Sequence, residues 1–310
     1  MINNYNDSSE NFLENMNFSE EVLYKKIVEE NQNIFNFIVN ISHDLRTPIS
    51  VILNTIKVLK MHLNNSSLLP EEVKRNEFKY LYIIQQNSYR MLRLFNSILD
   101  VAKIESGGEN LNLQNNDIVS VIRNICSSVN QLSNTNGVSL TFSSDLDKKV
   151  IAFDPDKIER IILNLLTNAF KFTNPGGEII VSLTQEGDNI KISVKDTGTG
   201  IPRKQLNCIF EKFKNGGKMY DNVYCKGIGV GLYVVKLFVE LHNGKIDVKS
   251  KEGKGTEFII TLPITLVEEN KTAPCLINEI IDNKFIETIN IEFADVYKAN
   301  VPSIHNQTAG

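Results

Sequence analysis

No stretch of this 310-residue chain approaches the roughly 18 uninterrupted apolar residues that a membrane-crossing helix needs. The opening residues, MINNYNDSSENFLENMN, carry neither a basic start nor an apolar run of the kind that marks a secretory leader. The expectation is a cytoplasmic chain with no transmembrane segment. Basic residues are also short. With 33 Lys and Arg against 37 Asp and Glu the formal net charge is −4, and no local basic run compensates, so the footprint of a nucleic-acid binder is missing. The four cysteines, Cys126, Cys208, Cys225 and Cys275, form no CxxC pair and no Cys/His ligand spacing. They read as buried free thiols in a reducing compartment.

What is present is ordinary globular material, 42% hydrophobic and 23% charged, in a length that suits two modules better than one core. Residues 1–30 are a polar lead-in, rich in Asn, Ser and Glu over the first twenty positions, and read as a weakly helical input segment. Over residues 31–107 the pattern is helical. Ile38, Ile41, Leu45, Ile49, Ile52, Ile56, Leu59 and Leu63 step by three and four, the seam of a long helix, with Pro48 expected to kink or loosen it. Asn64 to Pro70 reads as a turn. A second stripe follows, Val73, Leu81, Ile84, Met91, Leu92, Phe95, Ile98, Leu99 and Ala102, and stops at Gly107-Gly108. The result is an antiparallel helical hairpin. One hairpin cannot bury both of its stripes, so two chains forming a four-helix bundle are expected, hence a homodimer.

After a linker, 108–115, the period changes. A helix capped by Asn116 or Asp117 leads into alternating strands and helices over residues 116–265, an α/β sandwich. The β-rich runs Val138–Phe142, Glu178–Thr184, Asn189–Val194, Lys245–Val248 and Thr256–Leu262 are separated by turns such as Asn174-Pro175-Gly176-Gly177. The expected fold class is therefore α + α/β. In the tail, 266–310, a period-two run at Ile289, Ile291 and Phe293 suits one more strand or a docking segment.

Four constellations carry chemistry. In Ile41-Ser42-His43-Asp44-Leu45-Arg46-Thr47-Pro48 the seam uses Ile41 and Leu45, so His43 points off it beside a carboxylate. A lone exposed histidine is usually only surface, as expected of His62, His242 and His305. A neutral imidazole whose other nitrogen is kept protonated by a neighbouring acid, however, is a nucleophile for in-line attack on phosphorus. Asp154-Pro155 caps and opens a helix that buries Ile158, Ile162, Leu165, Leu166 and Ala169, leaving Asn164, Asn168 and Lys171 on the other face. Those amides and that ammonium suit Mg²⁺ and phosphates, though a solvated polar face would look the same. Val194 to Pro202 ends a strand in Asp196 and then turns through Gly198 and Gly200, which suits an acceptor for adenine's amine with backbone close to a ligand. Lys226-Gly227-Ile228-Gly229-Val230-Gly231-Leu232 runs into a helix start and offers donors to phosphates, but matches neither the Walker A nor the dinucleotide fingerprint.

In this order and spacing the segments resemble the histidine kinases of two-component systems over residues 30–265. S-H-D-L-R-T-P, N-L-L-T-N-A-F-K-F, D-T-G-T-G-I, I-F-E-K-F and G-I-G-V-G-L correspond to that family's H, N, first glycine, F and second glycine boxes. The resemblance implies a helical dimerisation hairpin followed by a gyrase-like ATP-binding domain, with ATP and Mg²⁺ as cofactors. It implies that His43 is phosphorylated with Asp44 as base or orienting group, that Asn168 is the metal ligand, and that Asn164 and Lys171 contact phosphates, with Phe172 beside them. Asp196 would read adenine in a pocket shaped by Gly198, Gly200 and Ile201. Gly227, Gly229, Gly231 and Leu232 would flank the triphosphate under a lid from Phe213 to Lys226, and Thr256 of the last box would line the site. After Phe213 stands Lys214-Asn215-Gly216-Gly217, where the family often has Arg or an aromatic, so the lid cation that meets the γ-phosphate is not assigned.

Other functions share this pocket. A gyrase-like ATPase places a glutamate four residues before its metal-binding asparagine, but here Arg160 and Asn164 occupy those places before Asn164 and Asn168, and neither is a base. A serine-directed kinase would not need the hairpin. Asp44 and Thr47, three residues apart and just after His43, also match a pattern for dephosphorylating a partner's phospho-aspartate. The resemblance implies a separate response regulator receiver domain as partner, with input through the lead-in, the tail or a separate sensory protein.

Overall fold

The computed structural model of the protein describes residues 45–59, 61, 70–133, 137–211, 230–268 and 283–296. The chain divides into two compact units, residues 1–46 and 47–310, and all packing reported below lies within the second. Residues 45–59 form helix α1, which runs through a buried Pro48. Helix α2, Pro70–Glu105, ends where the sequence places its glycines. Gly107 adopts φ +71°, a left-handed turn that a side chain disfavours, while Gly108 N donates to Lys103 O at 3.0 Å and closes the last turn. Both helices keep apolar side chains in solvent, Ile49 and Leu53 on α1 and Leu81, Leu92, Phe95 and Leu99 on α2, with Phe95 56% exposed. The turn expected at 64–70 lies outside the described residues except for its last position.

The second module is a helix-covered sheet. Strands β1 (Gln114–Asp117) and β3 (Val150–Phe153) pair antiparallel as a small separate ribbon. Strands β2 (Ser139–Ser144), β4 (Glu178–Glu186), β5 (Asn189–Asp196), β6 (Lys245–Ser250) and β7 (Thr256–Pro263) form a mixed five-stranded sheet in the order β2-β4-β5-β7-β6, with only β2 and β4 parallel. Burial alternates along β5 and β7, so one face is covered, and helices α3 (Ile118–Ser133), α4 (Pro155–Phe172) and α5 (Gly231–Leu241) cover it. Val181, Ile192, Val194 and Ile260 from the sheet and Ile162, Leu165 and Phe238 from the helices are all buried in the resulting core.

All five expected strands are present. Gln114–Asp117, linker and cap by the sequence expectation, is instead strand β1, and only Asp117 caps, its Oδ1 accepting from Val119 N at 3.3 Å. Asn116 lies within the strand. The tail run at Ile289 and Phe293 is no strand either. It is helix α6, Asn283–Glu292, continued by a 3₁₀ turn over Phe293–Asp295.

Candidate functional site

Helix α4 positions most of the site, and its start is fixed from several sides. Asp154 caps it by accepting from Lys157 N at 3.2 Å, with Pro155 in the first turn, and its second oxygen accepts from Asn112 N at 3.0 Å. Its own N–H donates to Nε2 of His242 at 3.1 Å, while Nδ1 of that ring lies 2.7 Å from Phe238 O and carries the proton toward it. His242 is therefore not the surface residue that its sequence context suggests. It is a buried bolt between the start of α4 and the end of α5, and burial lowers its pKa.

Further along α4, Asn164 is buried. Its Nδ2 donates to Arg160 O at 3.0 Å, and its Oδ1 faces the first residue of α5, so close that a Cβ on Gly231 would lie 2.9 Å from it. A side chain there would have to displace the Asn164 amide. Among the described residues the α5 start carries no side-chain cap at Val230, and a helix N-terminus with its positive end is an arrangement suited to phosphate. Leu232 follows, half-buried. Asn168 is half-buried one turn beyond Asn164, and Lys171 is exposed, its Nζ 5.4 Å from the ring centre of the exposed Phe172.

The other end of the site is built on Asp196, 6% exposed at the tip of β5. Its Oδ1 accepts from Gly198 N at 2.8 Å and Thr256 N at 3.2 Å, while Oδ2 accepts no hydrogen bond among the described residues. Burial raises its pKa above the usual carboxylate range, against the opposing pull of those two backbone donors. The loop after it is lashed on both sides. Thr199 N donates to Phe172 O at 3.1 Å, and a Cβ on Gly198 would collide with that same carbonyl. Gly200, at φ +69°, presses on the Lys251 carbonyl, and Ile201 N donates to Ser250 Oγ at 2.8 Å. Ser250 in turn bonds Thr256 Oγ1 at 2.9 Å. Thr256 thus acts through Asp196 and Ser250. Ser250 carries no signal in the sequence, because its partner Ile201 N lies 49 residues away, whereas Gly255, whose Cβ would strike the Asp196 carbonyl, falls in the Gly255-Thr256-Glu257-Phe258 segment that resembles the family's last box.

Asn164 and Phe172 are eight residues apart on one helix, about 12 Å at 1.5 Å per residue, so α4 joins the phosphate-suited end to the Asp196 end. A leftover carboxylate acceptor in a nearly dry site and backbone held close by glycines fit a purine ring, and the open α5 start fits its phosphates. His43, Asp44, Phe213, Gly227 and Gly229 lie outside the described residues, while Thr47 is on α1 and exposed. Helix α2 meets the module through polar contacts: Arg160 pairs with the buried Asp100 at 2.5 Å, and Tyr233 Oη donates to Glu105 at 3.0 Å. Burial and the Glu105 carboxylate push the Tyr233 hydroxyl up to about 12.

The family model for the histidine kinase-, DNA gyrase B- and HSP90-like ATPase matches residues 153–266, and that for the His Kinase A (phospho-acceptor) domain matches residues 35–107. The sensor protein SrrB of Staphylococcus aureus is 33% identical over 234 residues, 74% of this chain and 38% of SrrB, so the chain spans well under half the length of the curated relatives it matches. Among solved structures, full-length ShkA in complex with AMPPNP aligns with a TM-score of 0.53 at 24% identity, over 74% of this chain and 45% of that one. Histidine kinase ThkA in complex with response regulator protein TrrA aligns with a TM-score of 0.51 at 20% identity, over 74% and 61%. Among the described residues no helix is long and apolar enough to cross a membrane. A phospho-acceptor region followed in the same chain by a gyrase-type ATPase module, with a relative that is itself a sensor protein, identifies the chain as a member of the two-component sensor histidine kinases.

Proposed function

We propose that the chain is an ATP-dependent protein-histidine kinase that transfers the γ-phosphoryl group of Mg·ATP to His43 within a cytoplasmic homodimer, and passes it on to an aspartate in the receiver domain of a separate response regulator. The observation that carries the reading is Asp196, a nearly dry carboxylate with one oxygen locked by two backbone donors and the other left to accept an amine. Asp196 orients the base. Gly198, Gly200 and Ile201 hold the backbone close to it, and Asn164, Lys171 and the N–H groups at Gly231 receive the phosphates, with Asn168 as the protein ligand of Mg²⁺. When bound, Mg²⁺ supplies charge neutralisation on the phosphate oxygens. A nitrogen lone pair of neutral His43 attacks in line, so that a P–N bond forms as the bond from γ-phosphorus to the bridging oxygen breaks. Asp44 orients the ring and takes the proton from the nitrogen that does not attack.

Hydrolysis is disfavoured by the same helix. The position four residues before the metal ligand Asn168 is Asn164, an amide that cannot serve as a base for water, and Arg160, one turn earlier, is engaged with Asp100. The exposed apolar residues of α1 and α2 support the dimer, since a second hairpin would cover them. ThkA, whose fold this chain shares, is seen with a response regulator, which supports a partner of that class.

Purified protein given labelled ATP and Mg²⁺ is expected to take up an acid-labile, base-stable label, the behaviour of a phosphoramidate. His43→Gln should abolish the label without changing ATP affinity. Label that persists in this variant moves the acceptor elsewhere and sinks the assignment.

A further inference from the structure

Residues 283–296 follow both matched regions, 35–107 and 153–266, yet they are not a loose appendage. Ile289 and Phe293 are fully buried, and Ala294 with them. Phe293 packs edge-on against Phe170 of α4, ring centres 5.7 Å apart at 66°. The end of α6 is held from two sides at once. Glu292 O accepts from Arg93 Nη1 of α2 at 2.7 Å and from Thr167 Oγ1 of α4 at 3.5 Å, and Ala294 O accepts from Arg90 Nε at 3.3 Å. Two guanidinium groups at a helix C-terminus meet both its orphan carbonyls and its negative dipole end.

The placement along α4 decides what this segment does. At Arg160, α4 meets α2 directly through Asp100. Seven residues later, at Thr167, the tail segment stands between the two helices, and packed helices hold their axes about 8–10 Å apart. Thr167 sits beside the face of α4 that carries Asn164, Asn168 and Lys171, and Phe170 lies further round toward Leu166. The stretch of α4 from Thr167 onward, which carries Asn168 and Lys171 and leads to the Asp196 end, is therefore propped off the helical stem, whereas its start meets the stem through Arg160 and the α5 start meets it through Tyr233.

We propose that residues 283–296 form an internal wedge that holds the nucleotide-bearing end of α4 away from the stem and so restrains phosphoryl transfer to His43, which makes the tail a place where an input can act. The proposal rests on the kinase reading above. Transfer requires the γ-phosphate to reach an imidazole carried by the phospho-acceptor region, and a spacer one helix thick between α4 and α2 opposes that approach.

The test uses the full-length chain. Phe293→Ser empties the contact with Phe170, and the double variant Arg90→Ala/Arg93→Ala removes the polar anchors while leaving the apolar contact, so a folding failure in the first leaves the second to decide. Each is measured for the initial rate of acid-labile labelling and, separately, for affinity toward a fluorescent ATP analogue. The expected result is labelling about ten-fold faster, within the ordinary range of coupling between sites, with nucleotide affinity unchanged. A synthetic peptide of residues 283–296 added to the Phe293→Ser variant should bring the rate back down. A folded variant that binds nucleotide normally and labels no faster than the parent overturns the wedge. Absence of acid-labile label in parent and variants alike overturns the kinase reading instead.

Discussion

Asp196→Asn separates binding from stability, and the structure assigns a sign to each. The amide keeps the shape of the carboxylate, and Gly198 N and Thr256 N both point at Oδ1, so the carbonyl oxygen must stay there: a flipped amide would set its NH₂ against two donors. The NH₂ is then forced into the place of Oδ2, where the proposed base presents its own amine. Donor meets donor, and a hydrogen bond to a charged group worth about 1.5–3 kcal/mol is lost, which weakens ATP binding roughly 10- to 150-fold at about 1.36 kcal/mol per decade. Stability moves the other way. Burial is the largest influence on Asp196 and raises its pKa, so its contribution to folding is fully present below the unfolded value of 3.8 and is lost as pH rises through the folded value. At pH 7 the parent carries the whole cost of a buried charge, and the asparagine variant carries none of it. The variant should therefore melt no lower than the parent at pH 7, and competition against a fluorescent nucleotide should show the weakened binding. Unchanged affinity would place the base elsewhere, and a lower melting temperature would mean that the carboxylate's two backbone bonds outweigh its desolvation.

Two further perturbations address packing. Arg160→Met leaves the carboxylate of Asp100 buried without its guanidinium, a loss of about 3 kcal/mol in urea unfolding at pH 7. Burial already raises the Asp100 pKa, so the deficit should shrink at pH 5 as the acid takes up its proton; a deficit that grows on acidification would contradict the assignment. Ile52→Asp puts a charge into the seam proposed for the second chain, at a cost of several kcal/mol, and should yield a monomer in sedimentation that still binds ATP but labels His43 poorly. A parent protein that sediments as a monomer at micromolar concentration while fully active would refute the bundle.

The strands that alternation marks are legible because they have one buried face. Glu178–Thr184, for example, extends only to Glu186, and Asn189–Val194 only to Asp196. Gln-Asn-Asn-Asp is not legible as β1, since nothing in four polar residues favours a strand until Val150–Phe153 pairs with it. The acid at the end of β5 can be read from its place before two glycines. His242 cannot, since its partners, Asp154 N and Phe238 O, include one 88 residues away. The tail illustrates a choice of period: Ile289, Ile291 and Phe293 suit a strand at a spacing of two, but Ile289 and Phe293 also stand four apart, and it is those two that are fully buried while Ile291 is only half-buried.

Helix α4 shows why the wedge in particular escapes a sequence reading. Amphipathicity sorts positions into two classes, and on that sorting α4 has a core face of Ile158, Ile162, Leu165, Leu166 and Ala169 and a polar face of Asn164, Asn168 and Lys171. In the structure ten of its 18 residues are buried, among them Thr167 and Phe170, which a two-class sorting assigns to the rim or to the sheet. They belong to neither. Each meets a residue more than 120 positions later in the chain, Thr167 the carbonyl of Glu292 and Phe170 the ring of Phe293. A helix packed on a sheet beneath, on α3 and α5 at its sides and on a distant segment still writes only two letters into its own sequence. The last of these contacts becomes visible only where the distant segment's own pattern is seen packed against it, which is why the element with the least readable sequence carries the regulatory proposal.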